Sequence, residues 1–292
     1  MSVRERASFA GKLRTTLEMI RFSHTLFALP FAVLSMVLAA NGFPPWATIG
    51  KILAAMVGAR SAAMAHNRLV DRSMDAANPR TAGRALPSGA LSVGFVRVFL
   101  SGAVLLFLAA AATLNRVTML LSPVALAILF GYAYTKRFTW ASHLVLGLCL
   151  ALAPVGAWIA VRGSLELLPL LIGLAVLTWT AGFDIIYALQ DEEFDRQSGL
   201  SSIPARFGAR RALAASATLH VATAAFLFAA WRLSGGGPLF GGALLASGAA
   251  LVYQHVIVKP GDLSRVNAAF FTANGFVSIA LCAGGVADVL VR

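Results

Sequence analysis

Nine long apolar runs divide this 292-residue chain, and no other feature limits its fold as much. They lie at roughly 22–40, 46–66, 92–114, 117–135, 141–161, 166–187, 211–232, 238–257 and 266–289. A run of about 18 apolar residues or more is long enough to cross the hydrocarbon of a bilayer as a helix. A helix is also the economical way to satisfy the backbone there, because lipid offers no hydrogen bonds. The expected fold is therefore all-α: a polytopic membrane bundle of about nine transmembrane helices, forming one integral-membrane domain over 1–292. Composition agrees. Hydrophobic residues make up 59% of the chain and charged residues only 12%, about half the charge of a typical soluble domain. A water-soluble enzyme is excluded. Cys149 and Cys282 sit inside apolar runs and read as small core residues.

Turn formers mark the short connections, as in Asn41-Gly42-Phe43-Pro44-Pro45 and Ser234-Gly235-Gly236-Gly237-Pro238. Only the connections at about 67–91 and 188–210 are long, and both are polar and charged. Lysine and arginine accumulate on the cytoplasmic side of membrane proteins. With the N-terminus and both long loops cytoplasmic, 17 basic residues fall on that side and 5 on the other, with Arg60 and Arg97 within or beside spans. This orientation is the expected one, in an inner or plasma membrane. Residues 1–20 form a basic, amphipathic cytoplasmic segment, and the apolar run beyond them lacks a small-residue cleavage site, so no removable signal peptide is expected. The net charge of +12 suits an anionic surface or substrate. The basic residues punctuate apolar runs instead of forming a stripe, so nucleic acid is not an expected partner.

The acids are placed more tellingly than the bases. Seven of the twelve fall in two windows, Asp71 and Asp75, then Asp184, Asp191, Glu192, Glu193 and Asp195. Each window lies where a span runs into a long loop. Asn67, Asp71 and Asp75 repeat every fourth residue, which puts an amide and two carboxylates on one helical face. Asp184, Asp191 and Asp195, spaced seven and four, also share a face. The pairs Asp71/Asp75 and Asp191/Asp195 lie 120 residues apart, a hint of internal duplication. Like charges a turn apart repel, and near a membrane they are costly. A divalent cation removes the repulsion: Mg²⁺ takes one or two carboxylates together with substrate phosphate oxygens. Two facing pairs suit a diphosphate held through Mg²⁺. A solvated helix end explains one pair well but two matched pairs poorly.

The bases fit the same picture. Asn78-Pro79-Arg80-Thr81-Ala82-Gly83-Arg84 follows Asp75, and Ser201-Ser202-Ile203-Pro204-Ala205-Arg206-Phe207-Gly208 follows Asp195. Both bring arginines and hydroxyls near a carboxylate face, where they are able to close over phosphate. Lys136 ends the fourth run, with Tyr132 one turn deeper; a snorkelling anchor beside an interfacial aromatic explains that pair equally well. Arg60 lies within the second run, two turns before Asn67. An arginine at such depth faces a polar cavity or pairs with an anion, so Arg60 reads either as a structural partner or as the binder of an anionic second substrate. Asp184, deeper than Asp191, is similarly costly and suits a base, a cation stabiliser or a metal ligand.

Asn67-xxx-Asp71-xxx-Asp75, Tyr132-xxx-Lys136 and Asp184-xxxxxx-Asp191-xxx-Asp195, with the loop words NPRTAGRALPSG and DIIYALQDEEFDRQSGLSSIPARFG, resemble the UbiA superfamily of intramembrane prenyltransferases. The resemblance is to its 4-hydroxybenzoate polyprenyltransferase branch and menaquinone-pathway relatives, and spans roughly residues 20–290. It implies a nine-helix bundle around a central cavity capped by the two cytoplasmic loops. It further implies Mg²⁺ on Asp71, Asp75, Asp191 and Asp195, with Lys136 and the loop arginines (Arg72, Arg84 and Arg206) on a polyprenyl diphosphate. Arg60 and Asn67 match acceptor-pocket positions, and Arg21 is a further phosphate or acceptor candidate. His24, beside it, reads as a structural or interfacial histidine.

The expected reaction is Mg²⁺-dependent transfer of a polyprenyl group from its diphosphate onto a ring carbon of a hydroxyaryl carboxylate, in quinone biosynthesis. Asp71, Asp184 and Asp191 are the candidate catalytic carboxylates. Tyr132, Tyr134 and Tyr187 are candidates to lend π-density to an allylic cation, with ordinary packing as the alternative. 4-Hydroxybenzoate suits an intramembrane Arg60, and so does 1,4-dihydroxy-6-naphthoate. A rival from another class is a cation-coupled transporter with the acids as ion sites, although such sites lie nearer the bilayer midplane. CDP-alcohol phosphotransferases also use membrane carboxylates, but they need a DGxxAR word that this chain lacks.

Overall fold

The computed structural model describes residues 15–19 and 25–292; Arg21, His24 and most of the amphipathic segment lie outside them. Nine helices of 16 residues or more run through the described part. They are α1 (Thr25–Ala40), α2 (Trp46–Val70), α3 (Val93–Ala112), α4 (Arg116–Thr135), α5 (Ser142–Arg162), α6 (Leu167–Ala188), α7 (Ala209–Leu233), α8 (Pro238–Ile257) and α9 (Asn274–Val291). Seven stretches are long and apolar enough to cross a membrane. The other two helices fall short for different reasons. The apolar part of α1, Phe27–Ala40, is too short, and α2 carries Lys51, Arg60, His66, Asn67 and Arg68 along its length. Polarity in α2 is the cost of bringing the first motif to the end of a span.

The helices stop where their sequences dictate. Asn41 (φ 52°) turns the chain after α1 in the left-handed region that asparagine tolerates. Ser92 caps α3 by accepting from the Phe95 N–H at 3.2 Å, and Asn115 caps α4 by accepting from Thr118 at 2.9 Å. The Asn115 amide also donates to the Ile159 carbonyl at 2.7 Å, tying the start of α4 to the end of α5.

Burial separates centre from periphery. In the most apolar window of Leu167–Gln197, 67% of residues are buried, against 22% for α3 and 17% for α4. Thus α6 is the central helix, packed between α5 and α7, while α2 packs on α3 and α4, and α1 on α5 and α9. Glycine permits the tightest crossing: a Cβ on Gly147 of α5 would lie 2.2 Å from the Leu177 carbonyl oxygen of α6. The outer surfaces stay apolar, with Val98, Leu105, Leu245 and Val252 all well exposed. Lipid is the medium that makes such a surface stable.

Around α6 the core is aromatic: Phe27, Phe31, Trp179, Phe183 and Phe270 interlock. One buried polar knot fixes their register. Just before α9 the chain makes a π-turn, Ala268–Ala273, and the Asn274 amide donates to the Ala269 and Phe270 carbonyls at 3.1 and 3.0 Å. The Asn274 carbonyl oxygen accepts from the Trp179 indole at 2.8 Å and from Gln254 at 2.9 Å. Three helices are thereby locked beneath the second aspartate motif, where Tyr187 packs at a tilt of 35° against Phe270 with ring centres 4.2 Å apart.

Candidate active site

Both aspartate motifs are built by the same local device. After α2 the chain breaks at Asp71 (φ −89°, ψ 6°) and resumes as a six-residue helix, Arg72–Ala77. After α6 a single 3₁₀ turn, Leu189–Asp191, leads to Asp191 (φ −105°, ψ 3°) and another six-residue helix, Glu192–Gln197. Across the first break the backbone bonds run on, Asp71 N–H to Asn67 at 2.9 Å and Asp75 N–H to Asp71 at 2.7 Å. The one-face register expected for Asn67, Asp71 and Asp75 therefore survives the break. The Asn67 amide donates to the Asp71 carboxylate at 3.0 Å.

Each motif lies under arginine. Arg137, just past α4, donates to Asp71 at 3.3 Å. Arg84 reaches Asp75 at 2.6 Å, and Arg68 lies 3.5 Å from the other oxygen of the same carboxylate. Arg80 crosses from the first loop to the second motif and binds Asp191 in a fork, Nε to Oδ1 at 2.9 Å and Nη2 to Oδ2 at 2.6 Å. Its guanidinium carbon sits 5.9 Å from the centre of the Tyr187 ring. Asp195 differs. It is only 2% exposed, yet its Oδ2 is buried with no hydrogen-bond partner. Lys136 lies close enough to act electrostatically on both Asp71 and Asp195. Burial first, and Asp75 next, push the Asp71 carboxyl above its ordinary value, against the opposing charges of Arg137, Arg68 and Lys136.

One step deeper, Asp184 near the end of α6 pairs with His143 in the first turn of α5, Oδ2 to Nδ1 at 2.6 Å. His143 is fully buried, and its Nε2 accepts from the Ile203 N–H at 3.4 Å. That leaves the proton on Nδ1, facing Asp184. The second loop is thus tied down by His143 and by the Ser201 N–H, which donates to the Lys136 carbonyl at 2.8 Å.

Tyr132 lies within electrostatic reach of Asp184, Asp71 and Arg68. Tyr134 is 41% exposed and faces Arg137, whose guanidinium carbon is 5.4 Å from the ring centre. Arg60 is partly buried on α2, two turns before Asn67. Arg72 and Arg206 are exposed, and Arg206 lies over Phe207 at 5.6 Å. The arginines found on the motif carboxylates are instead Arg68, Arg80, Arg84 and Arg137. Arg80 stood in the loop word with nothing to set it apart from Arg84. Arg68 and Arg137 belong to the 17 cytoplasmic bases that orientation alone explains, and His143, a lone histidine in an apolar run, carries no signal in the sequence.

A model of the UbiA prenyltransferase family matches residues 28–276. The chain belongs to this family. Among UbiA relatives, the 4-hydroxybenzoate octaprenyltransferase of Vibrio atlanticus (strain LGP32) is 33% identical over 261 residues, covering 89% of this chain and 91% of that protein. The enzyme of the same name from Aeromonas salmonicida (strain A449) is 32% identical over 237 residues, covering 81% and 82%. Of solved structures, the apo form of a UbiA homolog from Aeropyrum pernix K1 superimposes with a TM-score of 0.83 at 35% identity, over 91% of this chain and 98% of that one. A UbiA homolog from Archaeoglobus fulgidus bound to DMAPP and Mg²⁺ shares the fold, with a TM-score of 0.76 at 22% identity over 95% and 100% of the two chains. Membership makes the chain a multi-pass membrane prenyltransferase, and the transporter reading falls with it.

Proposed function

We propose that this UbiA enzyme transfers a polyprenyl group from its diphosphate onto the ring carbon ortho to the phenol of 4-hydroxybenzoate. The observation that carries the reading is the meeting of two aspartate motifs 120 residues apart, joined through Arg80 and flanked by Lys136. The names of the relatives support the acceptor. Among the described residues no three metal-ligating side chains are gathered as they stand, because arginines hold Asp71, Asp75 and Asp191. The donor chemistry nonetheless suits Mg²⁺, since carboxylates offer the hard oxygens that this ion prefers and the buried Asp195 Oδ2 has no hydrogen-bond partner. Asp71, Asp75, Asp191 and Asp195 would hold it. When bound, Mg²⁺ supplies positive charge against the diphosphate leaving group.

The chain's own residues supply the rest. Lys136 and Arg84 place fixed positive charge where negative charge grows as the carbon–oxygen bond breaks, the setting in which preorganised electrostatics contribute most. Arg72 and Arg206 start from exposed positions on the two loops and contribute less. Arg60 recognises the acceptor carboxylate within the bundle, with Asn67 beside it, and the acceptor's ring carbon then forms the new bond to the prenyl carbon. Asp184, oriented by His143, takes the ring proton that restores aromaticity. Tyr132 faces this charged centre, while Tyr134 and Tyr187 lie under Arg137 and Arg80 and act chiefly through those cations. Apolar walls keep out the water that would capture an allylic cation. The loops and N-terminus face the cytoplasm, on the strength of the basic bias.

The test is an acceptor panel in membranes with Mg²⁺ and prenyl diphosphates of several lengths. The expected result is prenylated 4-hydroxybenzoate as the main product. Preference for 1,4-dihydroxy-6-naphthoate would move the enzyme to the menaquinone route, and no transfer to any phenol would overturn the reading.

A further inference from the structure

We propose that Arg80 is a displaceable placeholder cation, which occupies the Asp191 carboxylate before substrate arrives and then passes to the diphosphate. The inference rests on the site reading given above and goes beyond it. Both oxygens of Asp191 are engaged by the one guanidinium, at 2.9 and 2.6 Å. Arg80 therefore fills the edge of this carboxylate on which a chelating metal ion would sit, so the two cations compete there. The arginine fork matches phosphate oxygens as well as it matches a carboxylate, so a diphosphate offers the displaced group an equivalent partner.

The surroundings favour a swing over a fixed strut. The Asp191 side chain is 12% exposed, but that of Arg80 is 36% exposed, so the cation has water on one side and room to turn. Its base, in contrast, is anchored. The Arg80 N–H donates to the Asn78 side chain at 2.9 Å, and the Thr81 hydroxyl donates to the Asp75 carbonyl at 2.9 Å. Arg84, four residues on, holds Asp75 itself. The turn is thus fixed to the first motif while its tip holds the second. Tyr187 beneath the guanidinium gives it a flat surface to slide across. Release of Arg80 frees Asp191, and the same event delivers a positive charge to the site.

Competition of this kind has a thermodynamic signature. While Arg80 masks Asp191, a divalent ion alone binds with its affinity reduced by the unmasked fraction. Ion and diphosphate together bind cooperatively, and the coupling is reciprocal. Removing Arg80 therefore has opposite effects on the two ligands, which a purely structural salt bridge would not produce.

The experiment uses the full-length chain in detergent or nanodiscs, checked for a single symmetric size-exclusion peak. Free Mn²⁺ is measured by electron paramagnetic resonance during titration with the ion alone. Geranyl S-thiolodiphosphate is then titrated at saturating Mn²⁺. In Arg80→Gln, Mn²⁺ alone is expected to bind about five- to tenfold more tightly, and the thiolodiphosphate about tenfold more weakly. Arg80→Lys keeps the charge without the fork and is expected to show the same tightening of Mn²⁺ at smaller size, so it serves if the glutamine variant fails to fold. Unchanged or weaker Mn²⁺ binding in the folded variant overturns the placeholder role. Failure of the wild type to bind both Mn²⁺ and thiolodiphosphate overturns the site reading itself, a result distinct from the first.

Discussion

The two aspartate segments are alike in backbone and unlike in charge. Each follows a long helix, breaks at its leading aspartate and continues as six helical residues. Yet the first segment is rich in partners: Arg137 on Asp71, and Arg68 and Arg84 on Asp75. The second receives its one forked arginine from the first loop and leaves an oxygen of Asp195 unmatched. Its own Arg196 points outward to Glu192 and Glu193 at 2.6 and 3.1 Å. An equal spacing of carboxylates therefore hides a division of labour. The first loop carries cations for both motifs, and the second supplies anions that are only partly neutralised.

The largest test of this contrast removes a carboxylate from each side. Asp191→Ala and Asp71→Ala should each lower Mg²⁺-dependent prenyl transfer by at least about a hundredfold, with membrane insertion unchanged. Radiolabelled transfer assays and membrane fractionation check both points, and normal turnover in either variant would sink the assigned site.

His143 offers a sharper cut, because its two nitrogens serve different masters. Asparagine reaches where Nδ1 was, and glutamine reaches where Nε2 was. His143→Asn should keep the Asp184 contact and lose that to Ile203, whereas His143→Gln should do the reverse. If Asp184 needs orientation, the glutamine variant loses about tenfold in kcat and the asparagine variant loses less. Equal losses would mean that His143 matters only for anchoring the second loop.

A pH series probes the first segment. Folding raises the pKa of Asp71, so its ionised form costs stability above that value and the cost is relieved as pH falls towards the ordinary carboxylate range. A metal ion needs the ionised form. Expected, then, is a Mg²⁺ requirement that climbs on acidification earlier than an unperturbed aspartate would dictate, and a Mg²⁺-induced rise in Tm that shrinks over the same window. Thermal melts with and without Mg²⁺ from pH 7.5 downwards measure it. A flat Mg²⁺ effect down to the ordinary aspartate range would remove Asp71 from the metal set.

The smallest expected effects lie on the outer face of the second segment. Arg196→Ala should change stability by under about 0.5 kcal/mol, since exposed ion pairs of this kind are worth little. Arg206→Ala and Arg72→Ala should each cost transfer less than Arg84→Ala, as read by the diphosphate KM. The reverse order would restore the exposed arginines to the centre of the site.

Much of this was written in the chain's local patterns. Apolar run length fixed the helices, because lipid leaves the backbone no other partner. The long helices begin and end within about four residues of the expected runs, except that the last run opens with the π-turn Ala268–Ala273 before α9. The four-residue spacing of Asn67, Asp71 and Asp75 fixed a shared face, because helical register persists even across the break at Asp71. The polarity of α2 was also legible, in Arg60 and Asn67, although the run was counted as a full span. What no local pattern held was the pairing. Arg80 meets an aspartate 111 residues away, His143 one that is 41 away. Which of several loop arginines reaches which carboxylate depends on how α4, α5 and α6 pack and on the path of the turn after Asn78. Spacing along a helix is set by its own geometry, so sequence determines it; contact between distant segments is set by packing, so only the tertiary structure does.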